Sequence, residues 1–197
     1  MAEAITNFDL SVLYWIVEHV HNKVLDFLMP IFSLFGEAGI FWIAVTLILL
    51  IFPKTRKMGV CSALALLAGF LLGNGAIKHL VNRVRPYELD EALRSPVIFF
   101  FPGDSSFPSG HSLASFEAAV SIFLFNKKWG AGALVIAVLV AISRLYLTVH
   151  FLTDVLAGAI LGTAIAVLMK MIVDAVWTKL PPVIRGEKKK EASAPEQ

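Results

Sequence analysis

Hydrophobic residues in this chain run in long blocks separated by short charged or Pro/Gly-rich joints. Residues 38–53 and 58–77 carry no charge, 110–126 holds only His111 and Glu117 as ionisable groups, and 129–143 and 155–169 are again uncharged. None of these blocks alternates apolar with polar positions as a membrane barrel strand would, so each predicts a helix. Several are shorter than the roughly 20 residues of a perpendicular membrane crossing. Flanking Lys, Arg and aromatic side chains extend them by snorkelling.

The N-terminal region is patterned differently. Residues 7–20 place Leu10, Leu13, Tyr14 and Val17 at helical spacing, with Asp9, Glu18 and His19 on other faces, which suits an amphipathic helix at the interface. Residues 24–35 are apolar apart from Asp26 and read either as a short sixth span or as a re-entrant piece; the sixth span is adopted here. The expectation is an all-α polytopic membrane helix bundle of about six transmembrane helices with an N-terminal amphipathic helix. It forms one domain over residues 1–180, followed by a polar, basic and disordered tail over 181–197. Lys54, Arg56 and Lys57, then Lys127 and Lys128, then Arg185 and Lys188 to Lys190 fall on the same side by strict alternation. The positive-inside rule makes that side cytoplasmic, together with both termini. The connections around 80–107 and 144–154 then face outward, although they too are basic.

Composition sharpens this picture. Of 197 residues 57% are hydrophobic and 16% charged, with a mean hydropathy of +0.76, against about 25% charged in a soluble domain. A net charge of +2 gives no basis for nucleic-acid binding. The single Cys61 excludes an intrachain disulfide and a cysteine zinc cluster, and the acidic N-terminus lacks the basic region of a cleavable signal.

Ionisable groups at membrane depth are expensive and mark function, and here they gather on one side in three clusters. In KHLVNRVRP, Lys78 and Arg85 are seven apart, on one helical face if the helix continues, with Pro86 as its stop; they grip an anion or merely snorkel. In SSFPSGH, Ser106 is a candidate cap and Pro108 an early helical residue. Ser109 and Gly110 would then expose amides at a helix N-terminus suited to phosphate, with His111 as a proton donor beside it. In SRLYLTVHFLTD, His150 and Asp154 are four apart, so a carboxylate can orient the imidazole. Arg144 lies across a bend from them. Each cluster alone has a bland reading. Together, three cations, a helix-start cradle, a proton donor and an oriented imidazole on one leaflet point to a pocket that handles phosphate.

These residues, Lys78 with Arg85-Pro86, then Pro108-Ser109-Gly110-His111, then Ser143-Arg144 with His150 and Asp154, resemble the tripartite signature of the type 2 phosphatidic acid phosphatase superfamily. The resemblance spans 78–154 with order and spacing intact and favours the membrane lipid phosphatase branch. It implies a bundle of six main helices with sideways lipid entry from the outer leaflet. It also implies that His150 is the nucleophile of a phosphohistidine intermediate, oriented by Asp154, with His111 as acid and then base. Lys78, Arg85, Ser109, Gly110 and Arg144 would hold the phosphate oxygens, with no cofactor and no metal. The expected partner is a lipid phosphate or pyrophosphate, first undecaprenyl pyrophosphate and then phosphatidylglycerophosphate or phosphatidic acid. A phosphotransferase, a transporter of lipid phosphates and a metal site of His111, His150, Asp154 and Glu117 are the competing readings. The cation trio argues against the last.

The remaining polar and aromatic residues receive lesser roles. Glu117, six after His111, falls on a different helix face and forms a hydrogen bond inside the bundle or a substrate contact. Asn74 positions Lys78. His79, Arg83, His19 and His21 are interfacial, Trp15, Trp42, Trp129 and Trp177 are belt or packing residues, and the run Phe99, Phe100, Phe101 dips into the membrane.

Overall fold

In the computed structural model, which describes residues 2–97 and 102–185, no strand occurs among the described residues. The architecture is carried by helices α1 (Ala2–His19), α2 (Lys23–Leu34), α3 (Ile40–Ile51), α4 (Arg56–Gly69), α5 (Gly110–Phe125), α6 (Lys127–Tyr146) and α7 (Leu152–Val176). Wider π-helical turns over Phe70–Ile77 carry α4 into a last α-turn at Lys78–Val81. The Phe99 to Phe101 run and the basic tail beyond Arg185 lie outside the described residues.

Three stretches, Arg56–Leu89, Lys127–Tyr146 and Leu152–Lys179, are long and apolar enough to cross a membrane. Lys23–Leu34 and Glu37–Ile51 qualify only together, as a pair bent by 41°, and α5, at 16 residues, is a shorter apolar helix. By length and composition, the stretch at 24–35 does not qualify as a crossing by itself but only with Glu37–Ile51, as one arm of a bent pair. Asn22 caps α2 by accepting from the Val24 and Leu25 amides at 3.1 Å, and 12 residues reach only about 18 Å. Both ends of α2 meet the last turn of α6: Tyr146 Oη donates to Asp26 at 2.6 Å, and Arg144 donates to Ser33. The apolar side of α2 serves packing there, Met29 lying with Tyr146, Leu147 and Val149.

The central helix is α5, packed against α4, α6 and α7. A Gly-x-x-x-Gly step on α7 permits this, as small residues do between membrane helices. A Cβ at Gly158 would stand 2.6 Å from the Ser109 carbonyl oxygen, and one at Gly162 2.5 Å from that of Leu113. Trp42 is a packing residue, buried and donating to Ser115 Oγ at 2.8 Å, whereas Trp15 and Trp129 are exposed. α7 runs seven residues past the expected end at 169 because Asp174 pairs with Lys57 at 2.6 Å and with Lys170 at 2.5 Å.

α1 extends from Ala2 rather than 7; Leu10, Leu13 and Val17 pack on one side as their spacing predicts, and Asp9 is the departure. Asp9 is fully buried beside fully buried Leu13, one turn on, while Phe8 and Trp15 are exposed. Ion pairing and hydrogen bonds to the neighbouring helix ends reverse the simple apolar-in pattern at that position.

Candidate active site

The three polar clusters meet at one end of the bundle. Lys78, Arg85, Gly110, His111, Arg144 and His150 line a single cavity of about 620 Å³. They reach it by different local routes from those the spacing suggested. The helix bearing Lys78 stops at Val81 because Asn82 is left-handed (φ 46°), so Lys78 and Arg85 do not share a helical face. Pro86 opens the short helix Pro86–Leu89 instead of closing the earlier one. The two cations nevertheless converge on Asp104: Lys78 donates to its carboxylate, as does Arg85 Nη2 at 2.6 Å. Arg85 Nε also donates to its backbone carbonyl at 2.9 Å. Arg144, in the last turn of α6, is buried, and its Nε has no partner among the described residues. A buried guanidinium N–H without an acceptor is costly and marks a place for an anion oxygen.

Ser109, not Ser106, caps α5, accepting weakly from the Ser112 amide at 3.4 Å. Pro108 precedes the helix, in a cis peptide bond with Phe107. Gly110 opens the helix; a Cβ there would sit 3.3 Å from Asn74 Oδ1 and 4.0 Å from Lys78 Nζ, so both side chains border the helix start. His111 points to Glu37, with Nε2 3.3 Å from Oε2.

His150 lies in the turn before α7, so it and Asp154 are not stacked on one helix face. Its Nδ1 is 2.8 Å from the Ser106 carbonyl oxygen and 3.7 Å from Asp154 Oδ2, the latter beyond hydrogen-bond reach. A carbonyl only accepts, so Nδ1 carries the hydrogen and Nε2 presents its lone pair, 3.4 Å from Arg85 Nη1. Burial lowers the His150 pKa well below the usual imidazole range, and Arg85 and Arg144 add to that against the pull of Asp154. The ring is neutral and can attack. Asp154 is itself held by the Ser106 hydroxyl, by the Phe151 amide at 2.9 Å, and by Arg83 Nη1 at 2.5 Å.

Arg83 is a supporting residue that spacing did not reveal. Far from being interfacial, it bridges Asp154 and Asp9, donating to Asp9 Oδ2 at 2.8 Å. Thr153 donates to the same buried carboxylate through its amide at 3.1 Å and through its hydroxyl. Asp104 and Glu37 were missed as well. The one available signal was that acids stand close in sequence to the cation and glycine motifs.

Asp104 occupies the cation pair as an anionic ligand would. Partial burial alone would raise its pKa, but hydrogen bonds and charge from Lys78 and Arg85 outweigh that and hold it at about 2. It is therefore charged at neutral pH, where it would compete with a phosphate for the same two cations. Asp104→Asn is expected to tighten inhibition by inorganic phosphate about tenfold, or about 1.4 kcal/mol. An unchanged inhibition constant would show that the carboxylate does not compete.

Relatives place this geometry. The chain is 34% identical over 163 residues to the undecaprenyl-diphosphatase of Sulfolobus acidocaldarius, covering 81% of this chain and 76% of the relative. It is 35% identical over 165 residues to phosphatidylglycerophosphatase B of Bacillus subtilis, covering 76% and 70%. Among solved structures it is similar to the transmembrane PAP2 type phosphatidylglycerolphosphate phosphatase of Bacillus subtilis, with a TM-score of 0.68, 28% identity, and coverage of 90% of this chain and 88% of that one. The PAP2 superfamily profile matches residues 56–177, a segment that holds every cavity residue of the three motifs, and the chain belongs to the PAP2 superfamily.

Proposed function

We propose that this protein is a membrane phosphatase that removes phosphate from a lipid phosphate or pyrophosphate through a phosphohistidine intermediate, without a metal, at the extracytoplasmic face. One observation carries the reading: a neutral imidazole whose unprotonated Nε2 faces Arg85 stands among three cations in a cavity that continues into an apolar groove. His150 Nε2 attacks phosphorus while the bond to the lipid oxygen, or to the bridging oxygen of a pyrophosphate, breaks. His111 gives its proton to that leaving oxygen. Lys78, Arg85, Arg144 and the first amides of α5 hold the remaining oxygens as charge redistributes. His111 then takes a proton from water, whose oxygen attacks phosphorus, and the P–N bond breaks to release inorganic phosphate. Asp154, at 3.7 Å, stabilises the ring's positive charge electrostatically rather than through a direct hydrogen bond.

Undecaprenyl pyrophosphate heads the substrate order because a relative of that activity aligns over most of the chain. Phosphatidylglycerophosphate is the second reading, favoured by a polar group in the groove described below. The test is phosphate release in detergent with excess EDTA from undecaprenyl pyrophosphate, phosphatidylglycerophosphate and phosphatidic acid. Turnover that survives the chelator supports the metal-free route, and loss of turnover that added metal restores overturns it.

Orientation rests on the basic joints. Lys54 to Lys57 and Lys127 to Lys128 lie at the helix ends opposite the cavity, which makes the cavity side extracytoplasmic. The N-terminal segment sides with the cavity from Asp9 in α1 to His21 beyond its end, which contacts Tyr146. We therefore place the N-terminal segment on that face, in place of the cytoplasmic N-terminus expected from counting six crossings. In a Cys61→Ala background, cysteines at Glu91 and Glu3 should label from outside and one at Lys54 from inside. Labelling of positions 91 and 54 from one side overturns the orientation, and labelling of position 3 from inside overturns the placement of α1.

A further inference from the structure

The cavity does not end at the cations. It extends along α5 past Ile43, Leu47, Leu67 and Phe70 to Glu117. The sequence placed Glu117 on a different face from His111, yet both line this one space. Six residues of helix put the two about 9 Å apart along the axis. Glu117 is 1% exposed, and among the described residues its Oε1 has no hydrogen-bond partner and it joins no ion pair.

The position is built to hold this side chain. A Cβ at Gly69 would stand 1.8 Å from Glu117 Oε1, and one at Gly162 3.3 Å from its Cγ, so two glycines on different helices leave the room it fills. An unpaired carboxylate is the costlier form to bury, so the group met here is the carboxylic acid, an O–H donor with an acceptor oxygen beside it. Against hydrocarbon alone it would stay unpaired, which is costly for a buried polar group. Against a lipid with an oxygen a few bonds beyond its phosphate, it would be satisfied.

We propose that Glu117 is a specificity-determining residue: its carboxyl hydrogen-bonds an ester or hydroxyl oxygen of the lipid below the phosphate, so that among lipid phosphomonoesters the groove favours glycerol-based ones over plain hydrocarbon ones. The proposal rests on the lipid phosphatase reading and deepens it.

The test compares two phosphomonoesters of equal chain length, a 1-acyl-glycerol 3-phosphate and an alkyl phosphate. They share phosphate and tail and differ in the glycerol and ester oxygens. Wild-type protein is expected to show a kcat/KM about tenfold higher for the glycerol compound, a ratio that falls to about one in Glu117→Leu and largely survives in Glu117→Gln, which keeps a donor and an acceptor. A wild-type ratio of one overturns the proposal without any variant, so a leucine variant that fails to fold does not rescue it. A fall of both rates together in Glu117→Leu, with the ratio kept, assigns Glu117 to packing and overturns it equally. Failure of wild-type protein to hydrolyse either compound overturns the proposal too, and only failure on undecaprenyl pyrophosphate and phosphatidylglycerophosphate as well would refute the phosphatase reading itself.

Discussion

His150→Ala is expected to lower turnover on every lipid substrate by at least about 10⁴-fold, the scale lost when a covalent nucleophile is removed. Inorganic phosphate should still bind within a few-fold of wild type, because Lys78, Arg85 and Arg144 are untouched. The asymmetry follows from the site. The ring contributes its Nε2 lone pair, whereas the anion is held by cations anchored elsewhere, Arg85 on the Val149 carbonyl at 2.8 Å and Arg144 on Ser33. Acid quenching of wild type with a phosphate-labelled lipid should trap label on the protein, and the variant should trap none. Label retained by the alanine variant, or near-normal turnover, removes His150 from the nucleophile role.

The second large effect is on stability. Arg83→Met removes the one cation that bridges two fully buried carboxylates, Asp9 and Asp154. Breaking a buried pair from one side leaves uncompensated charge and costs about 3–5 kcal/mol. In a chain of this size that is a fall of about 10 °C in Tm. Activity should fall too, since Asp154 loses its 2.5 Å partner. Adding Asp9→Asn should recover part of the lost Tm, because one of the two stranded charges is then gone. Thermal unfolding in detergent reads both. A variant as stable as wild type would mean that the cluster is solvated, and a double variant no better than the single would mean that Asp9 carries none of the strain.

Much of the site was legible because polar groups are conspicuous in an apolar chain. Lys78, Arg85, His111, Arg144 and His150 stand out where burial is costly, and order and spacing tied them together. The supporting residues were hidden for the converse reason. Asp104, Asp9 and Arg83 sit in segments where charge is ordinary, and only the fold reveals that Asp9 and Asp154 share a guanidinium from another loop. Helix existence was readable from block hydrophobicity; α5 over Gly110–Phe125 ends within one residue of expectation. The shape of 24–35 was not, because an apolar run reads the same whether it crosses a bilayer or packs across a helix end. Local hydrogen bonds decided two further details. Ser109 caps α5 while Ser106 is recruited by Asp154, and either serine suits a cap by residue type alone.

The cluster around Arg83 also bears on where the working unit begins. The family profile starts at residue 56, yet Asp9, Ser33 and Glu37, which respectively bind Arg83, Arg144 and His111, all precede it. Each of the three candidate site clusters therefore leans on a side chain from the first 37 residues. Those helices act as a clasp on the chemistry rather than as a leader to it. A change at position 9, 33 or 37 would therefore be felt at Arg83, Arg144 or His111.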